Sequence, residues 1–149
     1  MKAQLWIAAI TLVTLAAPAF ARQPSPAGRV KVVSGSAFIV RSEGTIRAEV
    51  GQSVFESVSL RTGEDGSIGV TLDDDTRLSL GPSSEVRLST FRYAPAQSSV
   101  GLAMNFLRGI AVYVSGQIAK LAPDSVRLET PSAIVGVRGT TLAVQVVSE

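Results

Sequence analysis

The sequence predicts a single all-β domain, and three observations support this fold class. Apolar residues recur at every second position in short runs, and Gly, Pro, Ser and Asp separate the runs. Helical periodicity is almost absent. Strands with one apolar face must bury it against a second sheet or around a coil, so β-sandwich-like and β-solenoid-like arrangements are both open.

The first 21 residues have the pattern of a cleavable secretory signal. Lys2 provides a basic start, residues 5–17 are almost wholly apolar, and Pro18 breaks the run before Ala19 and Ala21. The run is shorter than the roughly 20 residues that cross a bilayer as a helix, and no second run of that length follows. We expect cleavage after Ala21 and a periplasmic mature chain without a transmembrane helix, with a retained anchor as the alternative.

The remaining chain divides into a leader and one domain. Residues 22–28 are rich in Pro and Ser and have no apolar period, which is typical of a mobile leader. We therefore expect a signal peptide over residues 1–21, a leader over 22–28 and the all-β domain over 29–149.

Residues 30–60 predict short, irregular strands. Glycines at 35, 44 and 51 interrupt fragments that carry the following apolar residues: Val32, Phe38, Val40, Ile46, Val50 and Val54.

The next part of the chain has the clearest strand pattern, with three strands at roughly ten-residue spacing. Residues 73–75 (Asp-Asp-Asp) and 81–84 (Gly-Pro-Ser-Ser) predict the turns between them. Alternation places the following residues on one apolar face: Ile68, Val70, Leu72, Leu78, Leu80, Val86 and Leu88.

Further strands follow residue 100. Leu102, Met104 and Phe106 form an inward-facing set, and Arg108-Gly109 predicts a turn. Beyond this turn the apolar face is expected to continue through three further residues, Ile110, Val112 and Val114. Val126 and Leu128 then lead into the closing segment.

The closing segment, residues 130–146, predicts an extended stretch, a tight turn and a final strand. Pro131 disfavours helix at the residue before it, and Gly139 can adopt the positive φ of a tight turn. The last strand alternates between two faces, one carrying Leu142, Val144 and Val146 and the other Ala143, Gln145 and Val147.

Composition excludes several classes of function. The chain has no cysteine, which rules out disulfides, thiolate metal sites and a lipoprotein anchor, and no histidine, which rules out Ser-His and Cys-His catalysis. Its 14 basic and 12 acidic residues suggest no polyanionic partner. Few aromatic residues remain after signal removal, which disfavours binding of carbohydrate and single-stranded nucleic acid.

Four groups of residues are candidate sites. Asp73, Asp74 and Asp75 offer carboxylates to Ca²⁺, but no further ligands follow at suitable spacing, so a hairpin turn is favoured. Glu64 with Asp65, or either with Glu85, would suit a glycosidase pair only if folding brings the two carboxylates together. The favoured interpretation is that these acids are solvated charges at the protein surface.

The other two groups are a lone arginine and an aromatic pair. Arg138 would clamp an anion beside Gly139 and the hydroxyls of Thr140 and Thr141. The favoured interpretation is that Arg138 occupies a turn and packs its aliphatic stem on a neighbouring residue. Phe91-Arg-Tyr93 would contact a partner, or else cover the core at a strand end.

Two groups of motifs carry a family resemblance. The first is Thr62-Gly63, residues 68–72 and the alternating series to Leu88. The second is residues 106–114 followed by Thr130-Pro-Ser-Ala133 and Val137-Arg-Gly-Thr140. In order and spacing they resemble the FecR-type domain, known from the periplasmic part of regulators of iron-siderophore uptake. The resemblance covers roughly residues 35–147 and implies a β-solenoid-like architecture.

The chain departs from the family pattern in two respects. Glu56-Ser57 stands where such domains usually have a Gly-Asp turn, and Asp75 replaces a glycine. Asp tolerates the left-handed region better than most residues. The resemblance implies that the signalling members of the family have three parts: a cytoplasmic anti-sigma segment, a membrane helix, and this periplasmic domain followed by a smaller receptor-contacting domain. The sequence shows only the domain, so their sigma-factor role is not expected here.

We therefore expect an exported, non-enzymatic binding or scaffolding module that recognises an envelope protein or an unknown ligand, and not nucleic acid. We predict no catalytic, cofactor-binding or metal residues, and oligomeric state is left open. One alternative is a periplasmic sensor subunit in envelope signal transduction. Another is an envelope-polymer hydrolase, which requires two acids roughly 5 to 10 Å apart in a cleft.

Overall fold

The computed structural model describes Ala21, residues 23–137 and residues 141–147. These residues form twelve strands, one short helix and two 3₁₀ turns, at Pro95–Gln97 and Pro123–Ser125. The elements, in chain order, are β1 Gly28–Ser34, β2 Ala37–Arg41, β3 Gly44–Arg47, β4 Ser53–Val54, β5 Val58–Thr62, β6 Ser67–Leu72, β7 Arg77–Leu80, β8 Glu85–Ala94, β9 Ser99–Val114, α1 Gln117–Leu121, β10 Val126–Thr130, β11 Ala133–Val135 and β12 Thr141–Val146.

The strands form one sheet that curls into a half-barrel. The order along it is β3-β2-β5-β8-β9-β7-β6-β1-β4, with β10 and β12 added along β9 and β11 added to β10. All described pairings are antiparallel except that of β9 with β10. The predicted all-β single domain is confirmed, and its strands pair in a continuous curled sheet.

The concave face of the sheet holds the hydrophobic core. The three central strands alternate as predicted, with buried residues at every second position of β6, β7 and the first part of β8. Leu102, Met104 and Phe106 on β9 are also buried, and α1 adds Ile118 and Ala119. One core therefore runs along the whole inner face of the sheet.

The predicted turn at Arg108-Gly109 is wrong, because β9 is one strand of 16 residues that passes through this point. Its first part pairs with β8 and its last part with β7. Gly109 has φ of +81°, a conformation that costs glycine little. A glycine of this kind gives the same sequence signal in a bent strand as in a hairpin turn.

The bend at Gly109 also changes which residues of β9 face the core. Ala111 and Tyr113 are buried beyond it, whereas Ile110 is 47% exposed and Val112 is half-buried. The prediction that Ile110, Val112 and Val114 continue the inward face is therefore wrong. The irregularity shifts the alternation by one residue, as a bulge does.

Ser84, in the connection between β7 and β8, holds this bend. The Ser84 Oγ accepts a hydrogen bond from the Ile110 N–H at 2.8 Å and lies 3.0 Å from the Ile110 carbonyl oxygen. The Gly81 N–H donates to the same carbonyl at 2.9 Å. We call this group, Gly81–Ser84 with Gly109 and Ile110, the Ser84 corner. Here β7 passes into β8 without reversing direction, since both run antiparallel along β9.

Several turns agree with the sequence. Residues 73–75 form the turn between β6 and β7, and Asp75 has φ of +67° where the family resemblance implied a glycine. Ser57 has the same value before β5. Thr130 and Ala133 pair across a tight turn between β10 and β11, and the Ala133 N–H donates to the Thr130 Oγ1 at 3.1 Å.

The final strand alternates as predicted, with Leu142, Val144 and Val146 packed against the core. The predicted turn at Gly139 lies outside the described residues. Among the residues that are described, no helix has the length and apolar character needed to cross a bilayer.

The Ser84 corner predicts a strong effect of substitution at Gly109. A Cβ at this position would lie 2.2 Å from the Ser84 Oγ and 2.6 Å from the Ser83 carbonyl oxygen, at a positive φ. We expect Gly109→Ala to lower the free energy of unfolding by about 2 to 4 kcal/mol in urea titrations. Gly136→Ala is the control, because a Cβ there meets nothing within 4 Å. Equal effects of the two substitutions would contradict the proposed strain.

Candidate functional site

The Asp74 carboxylate is buried inside the turn between β6 and β7. Its side chain is fully buried, which the sequence pattern did not indicate. The Oδ1 accepts from the Thr76 N–H at 3.1 Å, and the Oδ2 accepts from the Thr76 hydroxyl at 2.7 Å. The hairpin turn predicted at residues 73–75 is confirmed, and the aspartate at its centre binds groups of its own chain.

Asp74 also ties this turn to the start of α1. The Ile118 N–H donates to its Oδ2 at 3.2 Å, and the Gln117 N–H donates to its carbonyl oxygen at 2.7 Å. Gly116 permits this approach, since a Cβ there would lie 2.3 Å from the Asp74 carbonyl oxygen. The carboxylate thus satisfies buried donors from two segments 44 residues apart. We call this arrangement the Asp74 turn.

Tyr113 lies in the core beside the Asp74 turn. Its side chain is fully buried, and this burial raises its pKa above the ordinary value of 10.0. The Asp74 charge raises the pKa further, while the nearby side chains of Ser115 and Thr76 act in the opposite direction. The phenol is therefore neutral at physiological pH and serves as a core residue.

The other candidate carboxylates are engaged in the fold or exposed in a turn. Glu64 and Asp65 are exposed in the connection between β5 and β6. Glu85 lies on β8 between Arg61 and Arg108, at 3.3 and 3.6 Å. Among the residues that the structure describes, no group of three or more acidic side chains is arranged to hold a metal ion.

The aromatic pair and the lone arginine have different outcomes. Phe91 and Tyr93 are half-buried and pack against the core, which agrees with the favoured interpretation of a strand end covering it. Arg138, Gly139 and Thr140 lie outside the described residues.

A shallow groove of about 340 Å³ lies beside the β2–β3 turn. The Arg41 guanidinium carbon lies 5.8 Å from the centre of the Phe55 ring, and both residues line the groove. Glu56 also lines it, but its carboxylate accepts a hydrogen bond from the Phe91 N–H at 2.9 Å. The volume is within the range of small-molecule sites, but the charged groups of Arg41 and Glu56 contact the protein itself.

The outer edge of β12 offers a different kind of site. β12 pairs with β9 over six residues, and the described part of the chain places no strand along its other side. An edge of this kind presents unpaired N–H and C=O groups that another strand can complete. Residues 141–147 also include no charged residue and no proline, the two features that commonly protect an edge.

Two of the cross-strand rows beside this edge are uncharged, and a third ends at Arg77, which lies next to Val114 and so one strand away from Thr141. On the outer face of the sheet, Ala143 of β12 lies next to Val112 of β9, which in turn lies next to Ser79 of β7. Gln145 lies next to the exposed Ile110. A strand added to β12 would therefore extend two rows of uncharged side chains.

A groove of about 580 Å³ lies at the end of the same strand. The tip of the β10–β11 hairpin, at Pro131 and Ser132, forms one side, and Gln145, Val146 and Val147 form the other. Leu107, which is 42% exposed, lies between them on β9. Sequence reasoning identified β12 as a strand but gave no signal for this groove, because its walls come from distant segments.

Comparison with known protein families gives one match, to the model described as FecR protein, over residues 58–149. The chain belongs to the FecR family. No curated protein and no solved structure matched the chain. FecR proteins form a regulatory and signalling family, with a role in envelope signal transduction and protein interaction.

The family match begins at β5, later than residue 35, where the sequence resemblance begins. The structure nevertheless joins the earlier strands to the matched region, since β1 pairs with β6 and β2 pairs with β5. Ala27 and Val30 are buried in the same core. The sheet of the FecR region is therefore extended at both edges by strands that precede it, with β2 and β3 beyond β5 and β1 and β4 beyond β6.

The Asp74 turn predicts a selective loss of stability when its charge is removed. Asp74→Asn retains the shape but loses one oxygen acceptor, so we expect the free energy of unfolding to fall by about 2 kcal/mol. Asp75→Asn is the matched control, because Asp75 is exposed and Asn tolerates its positive φ. Urea titrations at neutral pH measure both. The assignment would be wrong if the two variants lost equal stability.

Tyr113 predicts a loss of stability at alkaline pH. Burial raises the pKa of Tyr113 in the folded state, so the neutral phenol contributes to the free energy of unfolding. This contribution is complete below the unfolded pKa of about 10 and is lost as pH rises through the folded pKa. We expect the unfolding free energy to fall less between about pH 8 and pH 11 in Tyr113→Phe than in the wild type. Tyr93→Phe is the comparison for a less buried phenol. Parallel profiles for wild type and Tyr113→Phe would contradict the prediction.

Proposed function

We propose that this FecR protein is an exported, non-enzymatic module that binds an envelope protein by accepting a strand along β12. The observation that carries the proposal is the outer edge of Thr141–Val146, which has no charged residue and along which the described part of the chain places no strand. Backbone hydrogen bonds would supply affinity, and alternating side chains would supply specificity.

The periplasm is the compartment that we propose for this interaction. The basic start, apolar run and Ala19-Phe-Ala21 pattern support export and removal of residues 1–21. The absence of cysteine suits an oxidising compartment, since no thiol is available for unwanted disulfides.

A strand-binding role fits the chemistry of the described residues better than hydrolysis does. Of the three acids that would suit a hydrolase pair, Glu85 is paired with two arginines, and Glu64 and Asp65 are exposed in the connection between β5 and β6. An inverting or retaining hydrolase needs an acid and a second carboxylate that face substrate in a cleft. Glu85 is instead engaged with neighbouring groups of the fold, and the other two acids lie at the surface of a turn.

A second role, as a sensor subunit that relays an envelope signal to a separate membrane protein, follows from family membership. Deletion of the gene would then change the output of an extracytoplasmic sigma factor, and the wild-type gene would restore it. An Ala143→Lys, Gln145→Lys variant would not restore it if the signal passes through β12. An unchanged output after deletion would eliminate this role.

Site-specific photo-crosslinking in cells tests the binding proposal. A benzophenone amino acid at Gln145, exposed on β12, is expected to give an adduct with one envelope protein identified by mass spectrometry. The same group at Thr45, exposed on β3, is the control and should not give that adduct.

Two further results should accompany the adduct. It should disappear in the Ala143→Lys variant, and the chain should fractionate with the periplasm with Arg22 as its first residue. An adduct from both positions, an adduct only with a second copy of the chain, or a cytoplasmic chain would each refute the proposed function.

A further inference from the structure

We infer that a second copy of this chain occupies the same edge when no partner is bound, with β12 pairing antiparallel to β12 of the other copy across a two-fold axis. This inference deepens the proposed function, because it assigns a resting occupant to the strand-binding edge. The dimer and the complex with an envelope protein would then exclude each other.

The charge pattern of the edge permits self-pairing. In a two-fold strand pair each residue lies opposite a residue of the same short segment, so a charge in the segment faces a nearby like charge. Residues 141–147 carry none.

The alternation of β12 restricts the register of such a pair. Residues that lie directly opposite in a sheet share a face, so the two-fold axis must pass through a residue and not between two residues. With the two-fold axis at Val144, every residue from Thr141 to Val147 lies opposite a residue of the other copy. It pairs Leu142 with Val146 and Ala143 with Gln145 of the other copy.

This register also improves burial at the rim of the core. Leu142, Val144 and Val146 are only half-buried, although they pack against the core. In the dimer each would gain an apolar neighbour from the other copy on the same face. The exposed residues Ala143 and Gln145 would meet each other on the opposite face, where both are neutral.

The dimer would regulate access to the edge by mass action. Self-pairing uses the same N–H and C=O groups that a partner strand needs, so the partner must compete with the second copy. Strand binding would therefore be favoured at low protein concentration, and dimerisation at high concentration.

Single-cysteine crosslinking of the purified mature chain tests the register, since the native chain has no cysteine to interfere. The reagent is a thiol crosslinker that spans less than about 8 Å, longer than the roughly 5 Å between directly paired Cβ atoms. Val144→Cys is expected to crosslink to itself in high yield. Leu142→Cys and Val146→Cys should each remain uncrosslinked, because identical positions would be about 13 Å apart along the strands.

A mixture of the last two variants should form the crosslink that neither forms alone. Equal crosslinking of all three single variants, or failure of Val144→Cys at concentrations where the wild type is dimeric, would overturn the register. Circular dichroism of each variant checks that it is folded.

Paired charge variants provide a second test at exposed positions. Ala143→Lys, Gln145→Lys places like charges opposite each other twice in this register, and should give a monomer in sedimentation velocity. Ala143→Lys, Gln145→Glu places opposite charges there twice and should restore the dimer. A monomeric wild type at all accessible concentrations, or two variants with the same oligomeric state, would refute the inference.

The two proposals can fail separately. A heteromeric adduct in cells with no crosslink between purified copies would refute only the dimer. A purified dimer with the expected register, but no envelope protein captured from Gln145, would refute only the proposed function.

Discussion

The contact between Ser84 and Ile110 fixes the path of the longest strand, and most of the domain is built on that strand. The serine hydroxyl accepts from the Ile110 N–H at 2.8 Å, beside a glycine at φ of +81°. β9 thereby bends without ending and pairs with four strands, β7, β8, β10 and β12. Because the bend also shifts the side-chain alternation by one residue, it turns Tyr113 into the core and Ile110 to the surface.

The Asp74 turn is a second polar contact with long-range consequences. Its carboxylate satisfies donors of Thr76 and of the first turn of α1, which directly follows β9. Burying a charged group is costly unless hydrogen bonds compensate it, and three donors do so here. The two contacts hold the last part of β9 at both ends, one at Gly109 and the other just beyond Val114. β12 pairs with this segment, so the geometry of the proposed binding edge depends on both.

The outer edge of β12 lacks the charged residues and prolines that commonly protect an edge strand from pairing. It is a six-residue strand without charge or proline, beside a groove of about 580 Å³. Such an edge favours pairing with another strand. In a family with regulatory and signalling functions, an edge that accepts either a partner or a second copy provides a simple way to switch binding on and off.

The sequence by itself determined the fold class, the central strands from Ile68 to Leu88, the turns at residues 73–75 and 130–133, and the FecR family. These features depend on the alternation of apolar residues and on turn chemistry, and both can be inferred from residues that are close together in the sequence. Only the tertiary structure decided that Gly109 bends a strand, that Asp74 is buried, and that no strand among the described residues lies along the outer side of β12. Each of these depends on segments distant in sequence, such as Ser84 opposite Ile110 and Asp74 against Ile118, and local pattern contains no information about which distant groups will meet.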